Sequence, residues 1–460
     1  MRGGPAAALL HPTGTMIAIP KVEDTLLVRW IRNMSASRWP GRFVAKTVVP
    51  TSVIVRDEAS ANADPDDSSG IVPKGDGRIV VMLTCQYNEI LGGAEKQCAA
   101  LTAGLRSAGT NVEVVTSRVP GFDVPEHEPG VRRFWTYSPP QLAGRHLPAG
   151  IVWAVQVFVW IAINRRRIAI LHCHQLRINA YVAALAHAAF GIPTVMKLGV
   201  GGERNDFTII NQRKYLFGRR GTRFVIRNST KVIAIASQIR ADCLAWGVPE
   251  ARIESVVNGV DLSRAAAVTI GAADPRIAAY DELRRFVFVG RLSPEKNAEA
   301  IVGAAAALGA GPKMQLDLLG DGPLTERIDL LRRDSTHVEI VPNGRVDDVF
   351  VHLQHMHFIV LVSWSEGLSN ALLEAVSSGV VPILSDASGN RDVIPFPDYP
   401  FFVRDPSVAE IARVLDAARQ MAVEDWRALS EQLAVAARAQ FDSRHVCRSY
   451  IDIYRGIAKQ

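Results

Sequence analysis

No CxxC pair occurs in this 460-residue chain, and its five cysteines (Cys85, Cys98, Cys173, Cys243 and Cys447) are odd in number and widely scattered. That distribution excludes a disulfide framework or a zinc ribbon and favours a reducing compartment. An apolar core long enough for a secretory signal is also missing, since Ala6 to Leu10 is too short. Charge of one sign never accumulates in a long run, and the net charge is only +6. Such a balance permits an anionic lipid or nucleotide partner and gives no sign of nucleic-acid binding. The fingerprint G-x-G-x-x-G is absent. Its nearest approach, Leu319-Gly320-Asp321-Gly322-Pro323, has Thr325 where the third glycine belongs, so it reads as a tight turn and not as a dinucleotide loop. That weighs against a nicotinamide-dependent oxidoreductase. No repeat at solenoid spacing appears.

The most apolar stretch, Leu147 to Ile163, contains a Pro, a Gly and a Gln and is followed by Arg165, Arg166 and Arg167. It falls just short of the ~20 residues that span a bilayer. It predicts a buried helix of an α/β domain, with a helix lying in a membrane interface as the alternative. The basic segments Arg213-Lys214, Arg219-Arg220 and Arg223, mixed with Tyr215, Leu216 and Phe217, read first as solvated charge and second as a contact for anionic lipid.

What is present begins at Arg78. Residues 1–77 show little periodicity and end in an Ala-, Asp-, Ser- and Gly-rich tail that reads as a disordered linker. Asp64-Pro-Asp66-Asp67 looks like a metal-binding DxD motif, but no apolar strand precedes it, and linker charge is the simpler reading. After Arg78, continuous apolar runs (79–84, 112–116, 168–172, 193–198, 231–236) alternate with helical stretches, and a second series (286–289, 315–319, 338–341, 358–362, 381–385) follows Asp274. This pattern predicts two parallel sheets, each covered by helices on both faces.

The second series carries the chemistry. Gly290-Arg291-Leu-Ser-Pro-Glu-Lys296 puts two cations at the carboxyl end of its first strand, the edge where open α/β sheets bind ligands. An Arg fork beside a Lys point charge suits a diphosphate. Glu366 and Glu374, eight positions apart, flank a strand-to-helix turn in which a helix is expected over 367–378. The N–H groups of Gly367, Leu368, Ser369 and Asn370 would then form an anion-binding helix start. Carboxylates accept hydrogen bonds and suit sugar hydroxyls. These parts together point to a ligand that is part phosphate and part sugar.

Seven motifs in order carry a family resemblance: Gly92-Gly-Ala-Glu-Lys-Gln97, His172-Cys-His174, Asn258-Gly-Val-Asp261, Gly290 to Lys296, Gly320-Asp-Gly-Pro323, Glu366-Gly-Leu-Ser-Asn370 with Glu374, and Gly389-Asn-Arg-Asp392. In this order they resemble the retaining GT-B glycosyltransferases of glycosyltransferase family 4, over about four-fifths of the chain.

The resemblance implies two doubly wound Rossmann-like domains facing a central cleft. It places an acceptor-side domain at 78–268, a hinge at 269–283, a nucleotide-sugar donor domain at 284–440, and a helix at 441–460 crossing back. It further implies transfer from a nucleotide-diphosphate sugar to a glycan or lipid-linked acceptor, with retained configuration and neither metal nor cofactor. Arg291 and Lys296 would grip the diphosphate, and Glu374 the ribose. Glu366 with the amides of Gly367 to Asn370 would hold sugar and phosphate. Val346, in Asn343-Gly-Arg345-Val346, would meet the base, Gly92 and Gly93 would admit the donor's phosphate, and His174 would face the transferred sugar. Relatives often have a second glycine where Ser388 stands, and Trp364 adds bulk beside Glu366. A cytoplasmic enzyme, peripheral at the inner membrane face, follows from this. A non-catalytic partner of the same fold and a sugar-nucleotide epimerase are the competing readings.

Overall fold

Each strand that builds the core is an apolar run buried on both sides. Ile79–Leu83 (β1) is inaccessible throughout, and such strands exist only where helices cover both faces of a sheet. The computed structural model describes residues 78–87, 92–121, 127–140, 146–213, 217–265, 273–364, 367–394 and 396–459. Outside these lie the N-terminal extension with Asp64 to Asp67, Lys214 to Leu216, part of the predicted hinge, and Glu366. All described residues belong to one compact unit, Val48–Gln460.

The first sheet adds Val112–Arg118 (β2), Val131–Trp135 (β3), Ile168–His174 (β4), Thr194–Lys197 (β5), Lys231–Ala234 (β6) and Ile253–Ser255 (β7). Their order is β3-β2-β1-β4-β5-β6-β7, and every pairing is parallel. The second contains Arg284–Val289 (β8), Met314–Leu319 (β9), Val338–Gly344 (β10), Phe358–Leu361 (β11), Val381–Ser385 (β12) and Phe402–Val403 (β13). Its order, β10-β9-β8-β11-β12-β13, repeats the doubly wound plan, again all parallel. Two Rossmann-like sheets of this kind make the GT-B architecture. In each, the strand order reverses between the first and fourth strands, at β1/β4 and β8/β11, where ligand crevices form.

Three elements depart from expectation. The helix predicted over 367–378 is Asn370–Ser377, because Gly367 to Ser369 cross extended between two other loops. A Cβ at Gly367 would meet the Gly199 carbonyl oxygen at 2.1 Å, and one at Gly389 would meet the Gly367 oxygen at 1.6 Å. The sequence pattern suggests a helix over 346–354 as well, but it starts later, at Val349, where the Asp348 side chain accepts the Phe350 N–H at 3.0 Å. Finally, Leu147–Asn164 is not buried all round. Trp153, Val157 and Ile161 are inaccessible against the sheet, whereas Val155 and Ile163 are 57% and 75% exposed. A helix that gives one side to the sheet is a layer of this domain and not a lone membrane span.

The C-terminal helix Ser443–Ala458 lies on the first half of the molecule against Gly93–Ser107, where Gly104 sits close to the Cys447 sulfur. Of the predicted hinge, Asp274 and Arg276 form a buried ion pair at 2.6 Å, and Arg276 donates to the Met356 carbonyl of the second half.

Candidate active site

The two switch points face each other through loops that follow the strands. β8 ends at Gly290, and Arg291 stands exposed just beyond it. Lys296 closes a short 3-10 turn, Pro294–Lys296, which Asn297 ends in the left-handed region at φ 55°. Two bonds from the β11 loop hold this turn: the Trp364 N–H donates to the Glu295 carbonyl at 3.1 Å, and its indole N–H to Asn297 Oδ1 at 3.2 Å. Trp364 thus braces the cation-bearing loop. Gly320 supports the same loop from below at φ 147°, and a Cβ there would lie 1.9 Å from the Gly290 oxygen. The Gly-Asp-Gly turn is therefore a packing device, as its missing third glycine implied.

Glu374 sits in the second turn of the Asn370–Ser377 helix. Among the described residues its carboxylate makes no hydrogen bond or ion pair. Burial raises its affinity for a proton, offset in part by Lys96 and Arg264. A half-buried carboxylate without a protein partner is ready to accept hydrogen bonds from ligand hydroxyls. Val346 stands in the loop after β10, packed against the core.

Asn370 does something its motif did not reveal. Its side-chain amide donates to the Gly93 carbonyl at 2.7 Å, and its Oδ1 accepts from Asn258 Nδ2 at 3.1 Å. Three motifs from both halves of the chain meet here. Gly93 needs its missing Cβ because that atom would stand 3.1 Å from Asn370 Nδ2. At Gly92, a Cβ would collide with the Glu95 carboxylate at 2.2 Å. Asp392 adds a further link, accepting the backbone N–H of Ser237, at the start of helix Ser237–Ala245, at 2.6 Å.

On the first sheet, His174 ends β4 beside a cavity of roughly 390 Å3 that Thr84, Gln86, Glu95, Arg177 and Arg213 also line. His174 is buried, its Nε2 lacks a partner, and its ring stacks on His172 at 4.5 Å. Burial first, then the nearby His172 ring and Lys197, hold its pKa well below 6.5, so the ring is neutral at neutral pH. His172 in turn shares a hydrogen bond with the Tyr454 hydroxyl, from the C-terminal helix. Burial also brings Lys197 down to about 8. Glu95, whose proton affinity burial raises, feels both Arg177 and Arg291. The cation after β8 is thus within electrostatic reach of Glu95, which lines the first sheet's cavity.

The site therefore gathers His174, Gly92, Gly93, Asn370, Arg291 and Glu374 around the facing strand ends, while Glu366 lies outside the described residues. Sequence reasoning missed Glu95 and Arg177. Glu95 had one signal, the Gly-Gly-Ala-Glu motif, read for its glycines alone; Arg177, three residues after His174, lies outside every motif. Gly367, Leu368 and Ser369 precede the helix, so its first-turn amides start at Asn370. Among the described residues, no three His, Cys, Asp or Glu side chains gather as a metal site.

Comparison with known proteins finds one family model in each half of the described chain. Residues 92–259 match the family model described as Glycosyl transferase 4-like domain, and residues 284–418 match Glycosyl transferases group 1. An uncharacterized glycosyltransferase of Methanocaldococcus jannaschii is 23% identical over 341 residues, covering 68% of this chain and 82% of that protein. The GDP-mannose:cellobiosyl-diphosphopolyprenol alpha-mannosyltransferase of Xanthomonas campestris is 26% identical over 304 residues, 62% of this chain and 73% of its own. The crystal structure of Anabaena HepE in complex with UDP and glucose superposes with a TM-score of 0.62 at 15% identity, covering 82% of this chain and 99% of that one. At that identity the likeness speaks for the fold.

Proposed function

Since the chain belongs to the glycosyltransferases, matching a glycosyl transferase 4-like domain over 92–259 and glycosyl transferases group 1 over 284–418, we propose that it moves a sugar from a nucleotide-diphosphate sugar to a hydroxyl of a lipid-linked or glycan acceptor, retaining the anomeric configuration. The observation that carries this is the presence of Arg291 and Lys296 on the braced β8 loop together with Glu374, a carboxylate that accepts no hydrogen bond from a described residue.

Negative charge grows on the departing diphosphate as the anomeric bond breaks. Arg291 and Lys296 stabilise it without reorganising, which is the largest effect such a site supplies. The cations do the work a metal does elsewhere, so no metal is required. Glu374 accepts the ribose hydroxyls, and Val346 faces the base. His174 takes the place facing the transferred sugar, and its neutral ring with an Nε2 that no described residue engages supports that role. Glu366 and the amides from Gly367 to Asn370 complete the donor pocket. Retention follows if the acceptor hydroxyl enters on the face that the phosphate leaves, giving its proton to that phosphate. Closure of the two halves excludes water and disfavours hydrolysis.

The acceptor lies over the first sheet. Arg177 and Arg213 in the cavity beside His174 suit an acceptor that itself carries phosphate, and Arg213 Nε is buried without a partner. This supports a diphosphate-linked lipid acceptor, the class named in the Xanthomonas relative, and a role in polysaccharide or glycolipid assembly. Five free cysteines support a cytoplasmic site of action.

The test is radiolabelled transfer from UDP- and GDP-sugars to a polyprenyl-diphosphate sugar, with the product's anomeric configuration read by NMR and EDTA present in a parallel arm. Transfer with retention, undiminished by EDTA, is expected. Donor turnover without acceptor would favour an epimerase. An inverted product or a strict divalent-ion requirement would overturn the mechanism.

A further inference from the structure

The helix Leu147–Asn164 presents an unusual outer face. Ile151, Val155, Val159 and Ile163, spaced four apart, form one stripe, and they are 50%, 57%, 52% and 75% exposed. Residues at this spacing line one side of a helix, here for roughly 18 Å at 1.5 Å per residue. Water gains nothing from this face. The opposite face already carries Trp153, Val157 and Ile161 into the core, so the domain has no further use for four exposed aliphatic side chains.

The surroundings identify what covers the stripe. Trp135 and Tyr137, 54% and 48% exposed, stand alongside it: the Thr136 hydroxyl between them donates to the Ala149 carbonyl at 3.3 Å, and Gln156, at mid-helix, donates to the Trp135 carbonyl at 2.9 Å. Past its C-terminal end come Arg165, Arg166 and Arg167, all exposed. On the same side of the sheet, beyond helix Ile178–Phe190, the helix Gly218–Arg227 exposes Arg219, Arg220 and Arg223. Aliphatic side chains along the helix, Trp and Tyr beside them and arginines around the edge match what a bilayer surface offers: acyl chains, interface and anionic headgroups. A protein partner has no need of this arrangement.

We propose that this face docks on an anionic lipid bilayer, the Leu147–Asn164 helix lying in the plane of the interface without crossing it. The placement has a consequence for the acceptor. The helix begins on the side of the sheet where the strands end, beside the cavity that Pro140 and His174 line. Docked this way, the membrane borders that cavity, and a lipid-linked acceptor reaches it with its chain still in the bilayer. The docking does not rest on the transferase reading; only this last consequence does.

Flotation of the full chain with vesicles separates the possibilities. Vesicles of phosphatidylcholine with phosphatidylglycerol are expected to carry the protein at low salt, and phosphatidylcholine alone at least tenfold less. Val155→Glu with Val159→Glu should cut the floated fraction at least tenfold while the circular-dichroism melt stays that of the parent. If the charged pair unfolds the chain, Val155→Ser with Val159→Ser should still lower flotation several-fold. Replacing Arg165, Arg166 and Arg167 with Gln should abolish the preference for anionic vesicles. Flotation unaffected by the valine changes would overturn the proposal. So would light scattering that shows a parent dimer dispersed by them, since the occupant would then be a second copy of the chain. Donor turnover is read in a separate assay, so failure to dock and failure to transfer are told apart.

Discussion

Burial raises the Glu374 carboxyl above its ordinary value of 4.5, and this has a definite sign. Between the ordinary and the raised value, the folded protein keeps a proton that the unfolded chain has released. Stability is then fullest below the window and falls as pH rises through it. Glu374→Gln removes the titration. Its Tm should exceed the parent's at about pH 8 and converge with it near about pH 4, while the KM for nucleotide sugar rises because an amide accepts less well than a carboxylate. Equal Tm differences at both pH values would remove the burial account. Lys296→Ala should lower kcat by about 10²–10³ with an unchanged circular-dichroism spectrum, as loss of one preorganised charge partner does. Near-normal turnover would dissociate Lys296 from the diphosphate. Places were legible here: the two cations do follow β8 and the carboxylate does sit on a helix, while their ligand is what we propose from their chemistry. Atoms were not. Nothing in Glu-Gly-Leu-Ser-Asn says that Asn370 spends its side chain on Gly93 and Asn258, because those partners come from elsewhere in the chain.

Between elements, the motif glycines prove to be points where backbone meets backbone. A Cβ at Gly320 would meet the Gly290 carbonyl, and φ of 147° is strained for any other residue, so neither insult can be relieved by turning a flexible side chain. Gly320→Ala should cost about 2–4 kcal/mol in urea unfolding. Gly109→Ala is the control: φ is 80° there and nothing lies within 4 Å of the added atom, so only the conformational cost of about 1–2 kcal/mol remains. Equal costs would mean that contact with Gly290 is irrelevant to the loop. The same packing explains what the element reading missed. Continuous apolar strands announced themselves, and so did the alternation with helices. The edge strand Val131–Trp135 did not, since Arg132 and Arg133 interrupt its apolar run and its side chains are largely accessible. The late helix start at Asn370 was illegible because the cause, Gly367 held between Gly199 and Gly389, is tertiary.

Across the whole molecule, the C-terminal helix ties the last residues of the chain to the first sheet. Tyr450 and Tyr454 are inaccessible, and Phe441 is nearly so. Val260 and Ser443 exchange bonds with the crossing segment: the Val260 N–H donates to the Phe441 carbonyl at 2.7 Å, and the Ser443 N–H to the Val260 carbonyl at 3.0 Å. The Tyr454 hydroxyl, bonded to His172, then reaches the ring that stacks on His174. Tyr454→Phe leaves a buried imidazole nitrogen unpaired and should cost about 1–3 kcal/mol of stability. If the bond were only structural, the loss would end there. If His174 faces the transferred sugar and the second half holds the donor phosphates, as proposed, the folded variant should show a lower kcat with an unchanged KM for the nucleotide sugar, because His172 stacks on His174. A destabilised Tyr454→Phe enzyme that turns over at the parent rate would separate the helix from catalysis. A fall in kcat that tracks His174→Ala would make the C-terminal helix the support through which the end of the chain sets the geometry of transfer.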